Sequence, residues 1–296
     1  MNIRLRHISI KVPAWLPLIL FFFSQLRAQV PVTNDLDYVN YLITNNQNRD
    51  ALFFLNQIDT LKISAAAKDS VFHFYGMAHH YLKSLDTAAS YFGKVGGQSG
   101  YYIKSSFFQS LNNIYANKLN SARYDILKIN VDSSSVFSQQ KKLQLCGIAL
   151  LNRNIKTADS LSASFDYASH LYSEEQTSLV RLSNEAKKIN KKTPFKAAML
   201  SALVPGLGKY YAGRRGQAVA TFFSTLGLAA LAGENLYRGG VTSPQFIITG
   251  SIFSVFYFGN IVGSAYSVKM VKKKNKDLAD HEIRSAVHKP LRRIFN

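Results

Sequence analysis

The chain has one cysteine, Cys146, in 296 residues. No internal disulfide can form, so packing alone must hold the fold, as suits a periplasm-like space for a chain without a disulfide framework. Proline is scarce as well: seven in all, and none between Pro31 and Pro194. Across residues 35–192 apolar positions recur at intervals of three and four, the period of helices, which argues against sheet. Acidic residues are few, 17 against 36 Lys and Arg, for a net charge of +19. The imbalance is local. The first 30 residues hold Arg4, Arg6, Lys11 and Arg27 with no acid, and residues 187–296 hold 18 Lys and Arg against four acids. Residues 31–186 are left at +1. The cations flank apolar runs and are not interleaved with aromatics on a soluble face, so no nucleic-acid partner is expected.

Catalytic signals are missing too. No nucleophile, base and orienting residue stand in a recognisable set, so an enzyme is not expected. Gly208-Lys209 lacks the glycine five positions earlier and is followed by Tyr210, which excludes a phosphate loop. His281-Glu282 has Ser285 where a zinc-protease motif needs its second histidine. His79 and His80 are neighbours on a helix and point in different directions, so they cannot share a metal. Neither a metal nor a cofactor is expected.

The N-terminus pairs a basic start with a ten-residue apolar stretch, residues 14–23, ahead of Arg27-Ala28-Gln29. Such a run is too short for a hydrocarbon core of about 30 Å but suits a secretory signal. Residues 1–29 are therefore expected to be a signal peptide, and the chain beyond them to be exported.

Small residues recur through the middle of the chain at Ala51, Ala88, Ala122 and Ala158, spaced by 37, 34 and 36. In the second unit Gly76 supplies a matching small position before Ala88, and in the third Ser110 does so before Ala122. In the first unit Val39 stands there; in the fourth, Cys146 or Gly147. This pattern resembles the tetratricopeptide repeat, in which small residues let the two helices of a hairpin approach closely. The resemblance implies an all-α fold, a tetratricopeptide-like α-solenoid of about four helix pairs over residues 30–192. It also implies a concave face built from the first helix of each pair and able to grip a protein or peptide partner. In the second unit that face would carry His73, Met77, His80 and Tyr81. A closing helix over residues 173–188 would have Ser173 as its N-cap, with Glu174 and Glu175 in the first turn.

Two long apolar runs, residues 218–237 and 246–268, flank a turn rich in Gly and Pro at residues 238–245. Each has the roughly 20 residues a bilayer needs, and together they predict an α-helical transmembrane hairpin. Gly259 and Gly263 share a face that would let helices approach closely. Glu234 falls at the end of the first run. Ahead of the hairpin stand Ser201, Pro205, Gly206, Gly208, Tyr211 and Gly213, in the order Ser-x-x-x-Pro-Gly-x-Gly-x-x-Tyr-x-Gly. They resemble an uncharacterised bacterial two-helix membrane domain, here residues 193–272; the resemblance implies a membrane address and no activity. Pro205 and Gly206 would break a helix, and the glycines would allow the backbone to re-enter the membrane or lie along its surface.

The basic tail, residues 273–296, carries Leu278, Ile283, Val287, Leu291 and Ile294 at helical spacing among Lys289, Arg292 and Arg293. That pattern is expected either to lie on an anionic membrane surface or, because Pro290 interrupts it, to form a solvated, frayed terminus. The chain as a whole is expected to be an exported interaction or scaffold protein in the inner membrane of a bacterium, its repeats periplasmic, with membrane lipids and a protein or peptide as partners. The alternative is a membrane-active role in transport or lipid handling, carried by the Pro-Gly segment and the hairpin. The sequence leaves the oligomeric state open.

Overall fold

The computed structural model describes residues 32–132 and 135–295, which form thirteen α-helices with no strand among the described residues. The expected signal peptide lies outside the described residues. The chain divides into two compact units after Ser105.

The first unit holds α1 (Val32–Thr44), α2 (Asn48–Leu55), α3 (Ala65–Tyr81), α4 (Leu85–Phe92) and the start of α5 (Tyr102–Tyr115). Helix α3 begins where the Ser64 hydroxyl accepts the Ala67 amide at 3.2 Å, satisfying one of the donors a helix start leaves open. It packs on α1, α2 and α4 around Val39, Leu55, Val71 and Phe92. His73, Met77 and His80 are buried in this core. They therefore do not form a peptide-gripping surface, because their helix is enclosed on the side they occupy. His73 stacks on Tyr101 with ring centroids 4.5 Å apart, and its Nδ1 lies 2.8 Å from the Ser105 hydroxyl.

The second unit continues α5 and adds α6 (Leu119–Lys128), α7 (Val136–Leu151), α8 (Ile155–Ser162), α9 (Ser173–Asn190), α10 (Pro194–Leu203), α11 (Leu207–Ala212), α12 (Arg215–Gly239) and α13 (Pro244–Phe295). One turn recurs throughout the helical hairpins of both units. Among the described residues, the non-glycine positions with positive φ are Asn46, Lys83, Asn117 and Arg153, each five residues ahead of Ala51, Ala88, Ala122 and Ala158. At each, the following amide donates back to a carbonyl five residues earlier: Gln47 to Leu42, Ser84 to His79, Lys118 to Asn113 and Asn154 to Ala149. This is the Schellman arrangement that closes a helix and redirects the chain. In the third hairpin the Ser110 hydroxyl donates to the Ala122 carbonyl at 2.9 Å, and in the fourth the Cys146 thiol does the same to Ala158 at 3.6 Å. Cys146, rather than Gly147, thus takes the small position.

Two local expectations are corrected. Helix α9 starts one residue earlier than the cap assignment required: Tyr172 occupies the N-cap and Ser173 is already helical, without a capping bond. The tail does not lie free as a membrane-surface segment. Helix α13 runs unbroken for 52 residues, about 78 Å at 1.5 Å per residue. Its end buries Ile283, Val287 and Leu291 inside the second unit, where α13 packs on α7 and α9. Pro290 removes a backbone donor from this stretch, and in the same turn the Gln140 amide donates to the Val287 carbonyl at 3.3 Å.

Helices α12 and α13 are long and apolar enough to cross a membrane. They pack on each other, yet Phe223, Ile248, Val255 and Val262 stay exposed on their outer faces. A core helix of a soluble protein would bury such side chains. At the far end the Asn235 amide reaches the Thr249 hydroxyl at 3.3 Å, and Glu234 pairs with Arg238 at 2.6 Å.

Candidate functional site

The six motif residues fall together in one short helical hairpin, α10 and α11. Thr193 caps α10, its hydroxyl accepting the Lys196 amide at 3.3 Å, and Pro194 stands in the first turn, where no donor is lost. The helix ends at Leu203, and Pro205 and Gly206 reverse the chain. Gly206 has φ +86°, and a Cβ there would meet the Ala218 carbonyl oxygen at 2.3 Å. At Gly208 a Cβ would fall 1.9 Å from the Ala197 carbonyl oxygen, so the α10 and α11 backbones touch. Ser201 joins the parts: its hydroxyl accepts the Gly208 amide at 2.9 Å and lies 2.7 Å from the Ser264 hydroxyl on α13. The Tyr211 hydroxyl accepts the Thr193 amide at 3.2 Å, tying the end of α11 to the start of α10. Gly213, with φ +99°, lies against Lys192. The segment therefore returns to the end it started from, and residues 197–211 do not cross on their own.

The repeat positions do not gather in this way. Ala51, Gly76 and Ala88 are buried in the first unit, and Ser110, Ala122 and Ala158 in the second, each inside its own hairpin. Opposite Gly76 stands the Phe92 ring, 2.6 Å from where a Cβ would be, one turn beyond Ala88.

Beside the Pro-Gly hairpin, α11, α12 and α13 enclose an open cleft of about 420 Å³. Lys209 reaches into it from α11 and donates to the Thr221 hydroxyl at 2.7 Å. Its stem passes over Gly263, whose Cβ would lie 3.9 Å from Lys209 Cε, while nothing approaches the corresponding point at Gly259. The paired glycines thus make room for a lysine and a cleft rather than for a closely packed helix. Asn260, on the same wall, is 4 % exposed, and its Nδ2 has no hydrogen-bond partner among the described residues. The sequence pattern singles out Asn260, Gly259 and Gly263 but not their relation to Lys209. The signal that could have found it is the four-residue spacing of Thr221 with Thr225 and of Asn260 with Ser264, polar pairs on otherwise apolar helices.

A second feature is the seat of the C-terminal helix. At Gly147 on α7 a Cβ would stand 2.5 Å from Val287 Cγ2 and 3.4 Å from Ile283 Cγ2. Phe295 stacks on Phe137 at 5.7 Å and nears Phe107 at 6.4 Å. Charged contacts rim this apolar seat: Arg153 holds both oxygens of Asp280 at 2.6 and 2.7 Å, and Arg293 pairs with the buried Glu175. The Tyr115 hydroxyl lies 3.1 Å from His288 Nδ1. Sequence reasoning singled out Gly147 as a candidate small position and Val287 in the tail stripe but not their meeting, although a glycine inside an apolar helix is a standing hint of close packing.

Burial also sets two ionisation states away from the membrane helices. Desolvation, with help from the Lys104 cation, pushes the His73 imidazole down to about 3. Burial, with the Asp159 charge nearby, pushes the Cys146 thiol up to about 12, leaving it unreactive. Among the described residues, no three His, Cys, Asp or Glu side chains gather as a metal site. Comparison of the chain with protein-family models, curated proteins and solved structures gives no match.

Proposed function

We propose that the protein is a membrane-anchored interaction or scaffold protein of a bacterial inner membrane. In this reading its tetratricopeptide-like hairpins form an α-solenoid of about four pairs, α12 and α13 anchor it, and the first helices of the hairpins hold a protein or peptide partner. One observation carries it: α7 and α9, with the Phe107, Phe108 and Tyr115 side chains of α5 alongside, already hold an amphipathic helix, the chain's own residues 280–295, with Val287 against Gly147 and charged pairs at the rim. A face that accepts one such helix in cis has the chemistry to accept another in trans.

The test removes residues 277–296 and adds a labelled peptide of that sequence. The shortened protein should bind it and the intact chain should not. A photo-crosslinker at position 140 should then capture a second protein in cells, competed by the same peptide. Failure of the shortened but still helical protein to bind the peptide rejects the reading.

With both helices crossing, the repeats and the end of α13 lie on one side of the membrane. Export through an N-terminal signal would make that side periplasmic. Charge favours the opposite side: Arg214, Arg215 and the cations of residues 269–276 flank the repeat ends of the spans, whereas Arg238 at the other end is paired with Glu234. The positive-inside rule would make that cationic side cytoplasmic. Reporter fusions after residue 190 and at the C-terminus should report the same side, and which side decides between export and charge. Opposite sides would refute a two-span anchor.

A further inference from the structure

We propose that the cleft between α11, α12 and α13 binds the phosphate head group of an anionic phospholipid, with Lys209 as its cation. The proposal goes beyond the scaffold reading and shares with it only the membrane anchor.

Two side chains of the cleft carry donor capacity that the described hydrogen bonds do not use. Lys209 donates one ammonium hydrogen to Thr221, whose own proton goes to the Gln217 carbonyl at 2.7 Å. No carboxylate pairs with Lys209 among the described residues, so two ammonium hydrogens remain for a ligand. Asn260, almost fully buried on the same wall, adds an amide nitrogen without an acceptor. A cation with unused donors, sharing a cleft with an unpartnered amide nitrogen and no carboxylate, favours an anion and repels a cationic ligand.

Depth and polarity select a lipid. Thr221 lies six residues inside Arg215, about 9 Å along α12, which is the inner edge of the head-group layer in a leaflet whose surface is marked by Arg214 and Arg215, within reach of a lipid phosphate drawn into the cleft. Below the lysine the wall turns apolar at Val255 and Phe256, both exposed, where acyl chains can lie. Free phosphate would leave that lower wall unused. The open position at Gly259 keeps the cleft accessible from the lipid side. Basic pockets between membrane helices are a known mode of head-group binding.

The test uses the full chain in detergent, with bound lipid counted by native mass spectrometry during titration with phosphatidylglycerol, phosphatidylcholine or inorganic phosphate. Phosphatidylglycerol should bind at one saturable site and phosphatidylcholine should not. Lys209→Met should weaken that site about fivefold to tenfold, while Lys209→Arg stays close to the wild type and Arg215→Gln, which alters only the rim, changes it less than about twofold. Equal binding by Lys209→Met would overturn the proposal. So would an equal loss in Lys209→Arg, which would make the lysine merely structural, or an equal loss in Arg215→Gln, which would reduce the effect to surface charge. Displacement of the lipid by inorganic phosphate at matched concentration would overturn the choice of a lipid. None of these outcomes touches the peptide experiment on the repeats, so the two proposals fail separately.

Discussion

Gly147 and Val287 offer a sharp perturbation because each occupies the space the other needs. An alanine methyl at position 147 would stand 2.5 Å from Val287 Cγ2, and Val287 is fully buried. Overpacking of this kind costs about 1–3 kcal/mol. Within α7 the same change gains up to about 1 kcal/mol of helix propensity, so the penalty should concentrate in the docking of α13 rather than in the stability of α7. Val287→Ala removes two methyl-sized groups, about 1.6 kcal/mol at about 0.8 kcal/mol each, before any cavity cost. In the double variant the methyl introduced at position 147 enters the volume that Cγ2 vacates, so the two losses should fall short of their sum by about 1 kcal/mol. Hydrogen exchange of the amides of residues 280–291, measured in the intact detergent-solubilised protein, reads this directly. Opening of a docked helix sets the rate, and about 1.4 kcal/mol corresponds to a tenfold change. Val287→Ala should accelerate exchange about 15-fold and Gly147→Ala by a comparable factor, with the double variant well below the product of the two. Strict additivity, or a wild-type segment that exchanges at the unprotected rate, would refute the seat.

The glycines and the buried histidine give two further expected outcomes. Gly208→Ala should abolish a monodisperse, heat-stable detergent complex because its Cβ would collide with backbone, whereas Gly216→Ala, which meets open space, should be tolerated in the same gel-filtration and melting assays. His73 is neutral in the fold down to about pH 3 but takes up a proton below 6.5 when unfolded. Stability of the first unit should therefore be full above pH 6.5 and decline by up to about 1.4 kcal/mol per pH unit as pH falls toward 3. His73→Gln should flatten that slope in denaturant unfolding followed by exchange of the α3 amides.

The all-α class and the two apolar helices were legible because both rest on short-range patterns: a three-and-four period without proline, and uninterrupted runs of about 20 apolar residues. The spacing of Ala51, Ala88, Ala122 and Ala158 was legible too, and the αL residues at Asn46, Lys83, Asn117 and Arg153 keep the same intervals. Their turn was not readable, since Lys and Arg seldom take the αL conformation that glycine or asparagine adopts more readily. The cap at Ser173 was misplaced by one residue because the ring of Tyr172 is buried there, and packing outweighed a capping bond.

By itself, then, the sequence determined helix type, the lengths of the apolar runs and the places where the chain must break, since propensity, period and the missing donor of proline act within a few residues. Tertiary structure alone decided where faces meet. An amphipathic stripe such as Ile283, Val287 and Leu291 has the same pattern whether it lies on lipid or on protein; it is received by α7 and α9, distant along the chain, with Gly147 making room for Ile283 and Val287. The same holds for Lys209, whose neighbours Thr221 and Asn260 come from two other helices. A charge in a polar cleft is defined by partners that no local spacing can bring together.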